Sequence, residues 1–496
     1  MSTTADPPRQ GTASTALAGD RLGVPSVIFF VMSAAAPLTV VAGVLSTGYA
    51  VTGVTGIPAA FPIIAVILGL FSVGYVAMAR YVANAGAFYA YVARGLGRSL
   101  GVGAAWVALV AYNVLQIGLY GAIGPAVSPL LRQWTGLDVP WWAVALVSWA
   151  LVAILGLLRV DVNGRVLAVL LIAEIAVILV YDAANLSASH GPGLGLGVLN
   201  PATLLTGGAG AVLVIALTAF VGFESSVVFA EESRNPRRTV PAATYLSVTV
   251  IAVLYTLSAW AMTVPVGPAA IVRRARAEGP ELLFHLAGEN LGAVAADIGH
   301  VLFATSIGAA MISFHNTSAR YLFALGRERV LPRVFSRTSA RTGAPRVASA
   351  AQSTLGLAVI VFYAVMGLDP LVQLFFWAGA IGGFGVLLLV TTTSIAVVAF
   401  FARNPSGENA WRRVIAPVLA ALALLVIVVL AVINFDVLLG VPAGDPLTRI
   451  MPGSVVVVAL LGTLWGAFLR VRRPEVHELI GRGGGSRAAT GERSGR

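Results

Sequence analysis

The sequence contains no cysteine and no lysine. The missing cysteine excludes disulfides, thiolate-ligated zinc and thiol chemistry. All 32 basic residues are arginine, which excludes a Walker-A phosphate loop and a Schiff-base lysine in this chain. Any energy source is therefore expected to be an ion gradient rather than ATP bound here. Charge is also scarce: charged residues are 11% of the 496, against about 25% in a soluble domain. The five histidines (His190, His285, His300, His315 and His477) are scattered among loops, apolar runs and tail. A membrane-embedded enzyme would need them clustered with acids near one membrane face, and a sensor would add a folded soluble domain. Neither pattern is present, so no enzyme, metal site or cofactor is expected.

Apolar sequence is what the chain has most of: 58% of residues, with a mean hydropathy of +0.89, which places it in a membrane. The net charge of +11 comes from arginines set between apolar runs. Their expected work is topological, with attraction to anionic lipid second, and no nucleic-acid partner is implied. Residues 1–24 read as a polar cytoplasmic tail without a cleavable signal peptide. Twelve apolar segments follow, near 25–47, 57–79, 100–124, 140–158, 164–184, 208–230, 241–265, 292–318, 347–366, 371–401, 414–434 and 452–470. Each approaches the ~20 residues that a spanning helix needs. Residues 471–496 are Gly-, Arg- and Ser-rich and are expected to form a disordered cytoplasmic tail. With both termini inside, 27 of the 32 arginines fall on the cytoplasmic side, as the positive-inside rule requires. The outer stretch Pro268–Asn290, with Leu282, Leu283 and Phe284, reads as an amphipathic surface helix over an entrance. Gly193–Gly197 reads as a linker, since no strand precedes it.

Two spans are interrupted at their middles. Span one carries the small residues Ser33–Ala36 and then Pro37, which removes a helix hydrogen bond. Span six has Gly222 and then a carboxylate, Glu224, where an acid in hydrocarbon costs roughly 2.5–3.5 kcal/mol by insertion scales. The two breaks are five spans apart, an odd number, so a second five-helix unit would start from the opposite face. This predicts an all-α polytopic membrane protein with repeats over 25–184 and 208–401 in inverted orientation, followed by two helices over 414–470. The site is expected where the two broken helices meet.

Three motifs carry a family resemblance: Gly86–Gly97 (GAFYAYVARGLG), Gly222–Glu224 with Glu231–Pro241 (GFE and EESRNPRRTVP), and Ala319–Pro332 (ARYLFALGRERVLP). Their order and placement resemble the amino acid–polyamine–organocation permeases, those of actinobacteria most, and all-arginine usage suits a GC-rich genome. The resemblance implies the five-plus-five inverted-repeat fold with two added helices, and a secondary transporter of amino acids or amines in a bacterial cytoplasmic membrane. It implies that Ser33, Ala34, Ala35, Ala36 and Pro37 hold a substrate carboxylate through backbone N–H groups. It further implies that carbonyls about Thr218, Ala219, Phe220, Val221 and Gly222 hold its amino group. Helix-end electrostatics agree, because N-terminal ends attract anions and freed carbonyls attract cations. Relatives carry Gly-Ser/Thr-Gly in span one where this chain has Ser-Ala-Ala-Ala-Pro, so an amine substrate stays open beside an amino acid.

Glu224 matches a family position that resembles a proton-coupling site; the alternative is a structural acid bonded to Ser225, Ser226 or a backbone N–H. Glu174, in span five, falls where several relatives carry a lysine. It reads either as a proton or cation carrier or as a protonated contact. Asn113, Gln116 and Tyr120 share one face of span three, lining a path or gluing helices. Phe220 and Trp377 are candidate gates, as is Asn113. Asp297 and His300 are spaced to pair, and Arg234, Arg237, Arg238 and the arginines of 320–329 either pair with Glu231, Glu232 and Glu328 in an inner gate or fix topology.

Overall fold

The computed structural model describes residues 17, 21–82, 84–158, 160–188, 195–204, 208–404 and 407–483. Among them the chain is helical, apart from turns and one isolated bridge between Leu22 and Ser233. Helix is what lipid demands of an apolar chain, since each N–H and C=O must find its partner within the segment. Eleven helices are long and apolar enough to cross a membrane. They are Val24–Thr52, Ile57–Ala79, Arg98–Thr135, Val162–Ser187, Ala209–Val227, Pro236–Thr263, Ala293–Arg327, Arg346–Met366, Pro370–Arg403, Trp411–Ile433 and Leu447–Arg472. A shorter apolar helix, Trp141–Gly156, stands where the fourth span was expected. It has 16 residues, just under the usual minimum of about 17. The chain is a multi-pass membrane protein, and we number these helices spans one to twelve in chain order, with the short helix as span four.

Span three is the internal strut. It runs 38 residues, Arg98–Thr135, well past the expected end near 124, and packs against spans four, eight, ten and twelve. Small residues allow the close approach: a Cβ on Gly462 of span twelve would lie 2.9 Å from the Gly103 Cα of span three. The expected surface helix over Pro268–Asn290 is instead two helices, Pro268–Glu278 and Leu282–Leu291. Leu282, Leu283 and Phe284 are buried against protein, as is Ile271, so the apolar face belongs to the core rather than to an interface with lipid. Arg274 pairs with Glu278 and Glu289, and Arg276 Nε donates to the Ala50 carbonyl at 2.9 Å, tying this cap to the end of span one.

The C-terminal tail departs from its expected disorder over its described part. Residues Pro474–Leu479 form a helix, with Val476 and Ile480 buried. The Gly481 and Gly483 N–H groups then donate to the Glu328 carboxylate at 2.7 and 3.1 Å. Composition suggested a solvated tail, but two apolar residues and two backbone donors suffice to dock it. His190 and Gly193 lie outside the described residues; Leu196–Leu199 is a single short 3₁₀ turn.

Two predictions follow from these contacts. Ending the chain after Arg473 removes two donors from a buried carboxylate, each worth roughly 1–3 kcal/mol. The melting temperature in detergent should fall, and an unchanged value would show that the tail does not load Glu328. In the cap, burial pushes Glu278 up, but the Arg274 guanidinium and His285 outweigh it and hold Glu278 below the usual carboxylate range. A depressed acid stabilises above its unfolded value, about 4.3 for Glu, and that contribution is lost as pH falls through the folded value. Amide exchange over 268–291 should therefore rise on acidification below that range while that of span three does not.

Candidate functional site

Span one is helical over Val24–Ala35, opens at Ala36 (φ 46, ψ 68) and restarts at Pro37. Alanine in the left-handed region is uncommon and persists only where its surroundings hold it. Proline then fits the restart, because its fixed φ and missing N–H suit a first helical position. Span six is helical over Ala209–Ala219, turns at Gly222 (φ 115) and continues as a 3₁₀ stretch, Phe223–Val227. The two openings touch: a Cβ on Gly222 would lie 2.6 Å from Ala34 Cβ and 3.1 Å from the Ala35 nitrogen. The expectation that the broken helices meet is met by backbone contact.

Each opening frees backbone groups, and polar side chains of the same and of other spans take them up. The Gly222 N–H donates to Glu224 Oε2 at 2.9 Å, and Tyr112 of span three donates to Glu224 Oε1 at 2.7 Å. Tyr75 of span two donates to the Glu224 carbonyl at 2.8 Å. Glu224 is thus folded back onto its own break, with Ser225 and Ser226 engaged elsewhere, by the Gly222 carbonyl and Thr244 respectively. On span one, Tyr255 of span seven donates to the Ala35 carbonyl at 3.0 Å. Beyond the break, the Leu38 N–H faces Glu174 Oε2 at 3.5 Å and the Thr39 N–H faces Ser306 Oγ at 3.3 Å. Glu174 therefore stands at the N-terminal end of the second half-helix, where the helix dipole favours negative charge. Ser33 Oγ is buried there without a partner. Phe220 is fully buried in a ring cluster, 6.3 Å from Phe61 and 6.4 Å from Tyr255, centroid to centroid.

Other expected residues lie away from the junction. Trp377 Nε1 donates to the Leu439 carbonyl at 3.2 Å, so it braces the C-terminal helices. Asn113 Nδ2 donates to the Leu109 carbonyl of its own helix at 2.6 Å. Gln116 donates to Tyr120 and accepts from Gln352 of span nine, which joins helices. Thr218, unlike these, stands at the span-six opening, where its Oγ1 bonds back to the Val214 carbonyl at 3.0 Å and its carbonyl accepts from the Val221 N–H at 3.1 Å. His300 pairs with Glu281 at 2.8 Å rather than with Asp297. A cleft of about 620 Å³ lined by Asp436, Arg449 and Pro452 involves neither span one nor span six.

The three motifs converge at the face that carries both ends of the described chain. Arg320 reaches Glu232 at 2.5 Å and 3.1 Å, both side chains 2% exposed, with its guanidinium 4.8 Å from the Phe229 ring centre. Arg327 grips Glu231 through two 2.7 Å bonds, and Glu231 also accepts from the Ala85 N–H at 3.0 Å. Of the expected ion pairs, those of Arg320 with Glu232 and of Arg327 with Glu231 are made, whereas Arg237 and Arg238 are exposed. Among the described residues the donors to Glu328 are Asn84, Tyr89, Gly481 and Gly483 rather than an arginine. The segment before span one meets the same face through the Leu22–Ser233 bridge, with the Arg21 and Leu22 N–H groups donating to the Glu232 carbonyl at 3.0 Å. Sequence reasoning missed Tyr75, Tyr255 and Ser306, which bond the opened backbone from other spans and carry no local signal in the chain.

The sequence profile of a family described as amino acid permease matches residues 22–461. The chain belongs to the amino acid permease family. Among this permease's relatives is the branched-chain amino acid permease BcaP of Bacillus subtilis, 27% identical over 44% of this chain and 44% of its own length. The low-affinity putrescine importer PlaP of Escherichia coli is 24% identical over 73% of this chain and 78% of its own. The lysine-specific permease LysP of Lactococcus lactis is 27% identical, covering 56% and 57%. The permease is thus a transporter by family and not an enzyme.

The junction makes one substitution diagnostic. Gly222→Ala meets Ala34 and forces a left-handed alanine, strain worth about 1–3 kcal/mol before any clash. It should lower the melting temperature, and Ala34→Gly in the same chain should recover only the part due to crowding. A melting temperature equal to wild type would mean the two breaks are not in contact.

Proposed function

We propose that this permease is a secondary active transporter that moves amino acids across a bacterial cytoplasmic membrane by alternating access, driven by proton symport. The carrying observation is Glu224, a buried carboxylate bonded at once to the Gly222 N–H of the span-six break and to Tyr112 of span three. An ionised carboxylate accepts both bonds. Once protonated, one of its oxygens becomes a donor: a proton on Oε1 reverses the bond with Tyr112, whereas one on Oε2 faces the Gly222 N–H and loosens the hold on the break. Proton entry down the membrane potential supplies about 2.3 kcal/mol per charge per 100 mV. Phe220 stacks over the break as the gate. Ser33–Pro37 and Thr218–Gly222 provide the backbone groups for the substrate, and both termini face the cytoplasm, as the arginine distribution favours.

The relatives are named for branched-chain amino acids, putrescine and lysine, and a further one, the histidine permease HisP of Lactococcus lactis, for histidine. An amino group is common to these compounds, whereas putrescine has no carboxylate. The span-six half, with Glu224 and its carbonyls, is therefore the part of the site that all would use. One observation favours a second reading, an amino acid/polyamine exchanger without proton coupling. Glu174 already occupies the N-terminal end of the second half-helix of span one, where a substrate carboxylate would compete with it.

Two measurements decide between them. A substrate at 100 times its Kd should stabilise the detergent-purified permease by about 2.7 kcal/mol, read as a thermal shift against amino acids and polyamines in parallel. Stabilisation by amines alone would remove the carboxylate subsite at span one. Glu224→Gln should abolish pH-driven uptake into proteoliposomes while leaving the protein folded. Equal uptake by the variant at every pH would exclude Glu224 as the coupling group.

A further inference from the structure

Asp182 takes no part in the junction, yet it lies inside span five and is 1% exposed. Its Oδ2 accepts from Ser258 of span seven at 2.8 Å, and its Oδ1 is buried without a partner. Asn185 follows three residues later, on the same helix face, also 1% exposed. The Asn185 Oδ1 accepts from Asn290 at 2.9 Å, and its Nδ2 is buried without a partner. Asn290 is only partly covered and sits in the cap helix, at the end of span five opposite the termini.

The same polar track continues inward from Ser258. Tyr255, one turn along span seven, donates to the Ala35 carbonyl at the span-one break. Glu174, two turns along span five from Asp182, faces the Leu38 N–H just past that break. Spans one, seven and eight and the helix Leu282–Leu291 pack against span five. Their titratable groups near this end are engaged elsewhere: His285 with Glu278, Glu289 with Arg274, and His300 with Glu281. Tyr181 of span five donates to the Ala295 carbonyl, and Asp297 is not hydrogen-bonded to Asp182 among the described residues. His315 pairs with Ser349, and Arg165, Arg237, Arg238, Arg320 and Arg327 stand toward the other end. Among the described residues Asp182 therefore has a hydroxyl for a partner and no cation paired with it.

A buried intramembrane acid without a counter-charge is costly unless it has a use. One carboxylate and one hydroxyl are too few oxygens for a hard cation, which takes about six, but they suffice for a proton. We propose that Asp182 is a proton-binding site, loaded by way of Asn290 and Asn185 from the face opposite the termini and feeding Glu174 at the span-one break. Loading breaks an O–H bond of hydronium, leaving water, and forms one at Asp182 Oδ1, converting carboxylate to carboxylic acid; passage inward breaks that bond, forms one at Glu174 and returns Asp182 to carboxylate. Its role in transport rests on the proton-coupled permease reading; its protonation does not.

The test uses the full-length purified permease. A pH-difference infrared spectrum should show a protonated-carboxyl stretch that Asp182→Asn removes, Asp182→Glu keeps and Ser258→Ala shifts. A spectrum that Asp182→Asn leaves unchanged overturns the proposal. In proteoliposomes, with a tritiated L-amino-acid mixture as probe, one pH unit driving one proton per substrate gives about tenfold accumulation. Asp182→Asn should lose that accumulation while keeping gradient-free counterflow. A variant that still accumulates about tenfold by the same measure overturns this inference alone. A wild-type protein without counterflow removes the permease reading and this role with it. Loss of counterflow as well as accumulation in both Asp182→Asn and Asp182→Glu assigns Asp182 to structure and overturns the proposal.

Discussion

A helix that opens inside hydrocarbon must find partners for its freed backbone groups within the protein, because lipid offers none. The rest of this structure answers that requirement. Glu224 covers the Gly222 N–H, Tyr255 covers the Ala35 carbonyl, and Glu174 and Ser306 face the N–H groups of Leu38 and Thr39. The partners come from spans five to eight, so neither break can move without an exchange of bonds in several helices at once. A ligand that enters such a junction competes with side chains already bonded there. Binding and helix movement are coupled by that competition.

The face that carries both ends of the described chain is held by ion pairs together with backbone donors. Arg320–Glu232 and Arg327–Glu231 join span eight to the end of span six, and Glu328 draws in the tail and the Asn84–Tyr89 segment. For a pair as buried as Arg320–Glu232, removing one partner typically costs about 3–5 kcal/mol, since the other is left as an uncompensated charge. Opening this face must therefore separate the pairs in a way that lets water reach both. Three motifs up to more than 200 residues apart in the chain form one contact set, and their spacing reflects that shared position.

The opposite end is built differently. Of the two short helices, Pro268–Glu278 packs on the end of span one and Leu282–Leu291 on spans five and eight. Arg274 is paired to Glu278 and Glu289 inside the cap and Glu281 to His300 of span eight, while polar residues descend from Asn290 along spans five and seven. One face is latched by ion pairs and the other is covered by a packed cap with a polar track beneath it. The two ends of the bundle are therefore held by different kinds of contact.

Much of this was legible in the chain. Hydrophobic length and the absence of charge are local properties, so the membrane class and the spans could be read directly. Pro37 and Gly222 marked the breaks because proline and glycine act on their own backbone. Local signals erred where packing overrode them. The tail read as disordered until Val476 and Ile480 were buried, the cap's apolar face was turned inward, and Trp377 went to Leu439 rather than to the break. What only the tertiary structure decided is which groups satisfy the opened backbone. Tyr112 and Glu224 are 112 residues apart, Tyr255 and Ala35 are 220 apart, and no local spacing encodes such pairs. By itself the sequence determined where the helices must break, since that follows from each residue's own backbone. Folding alone chose the partners that make a break tolerable in lipid, since that depends on which helices become neighbours.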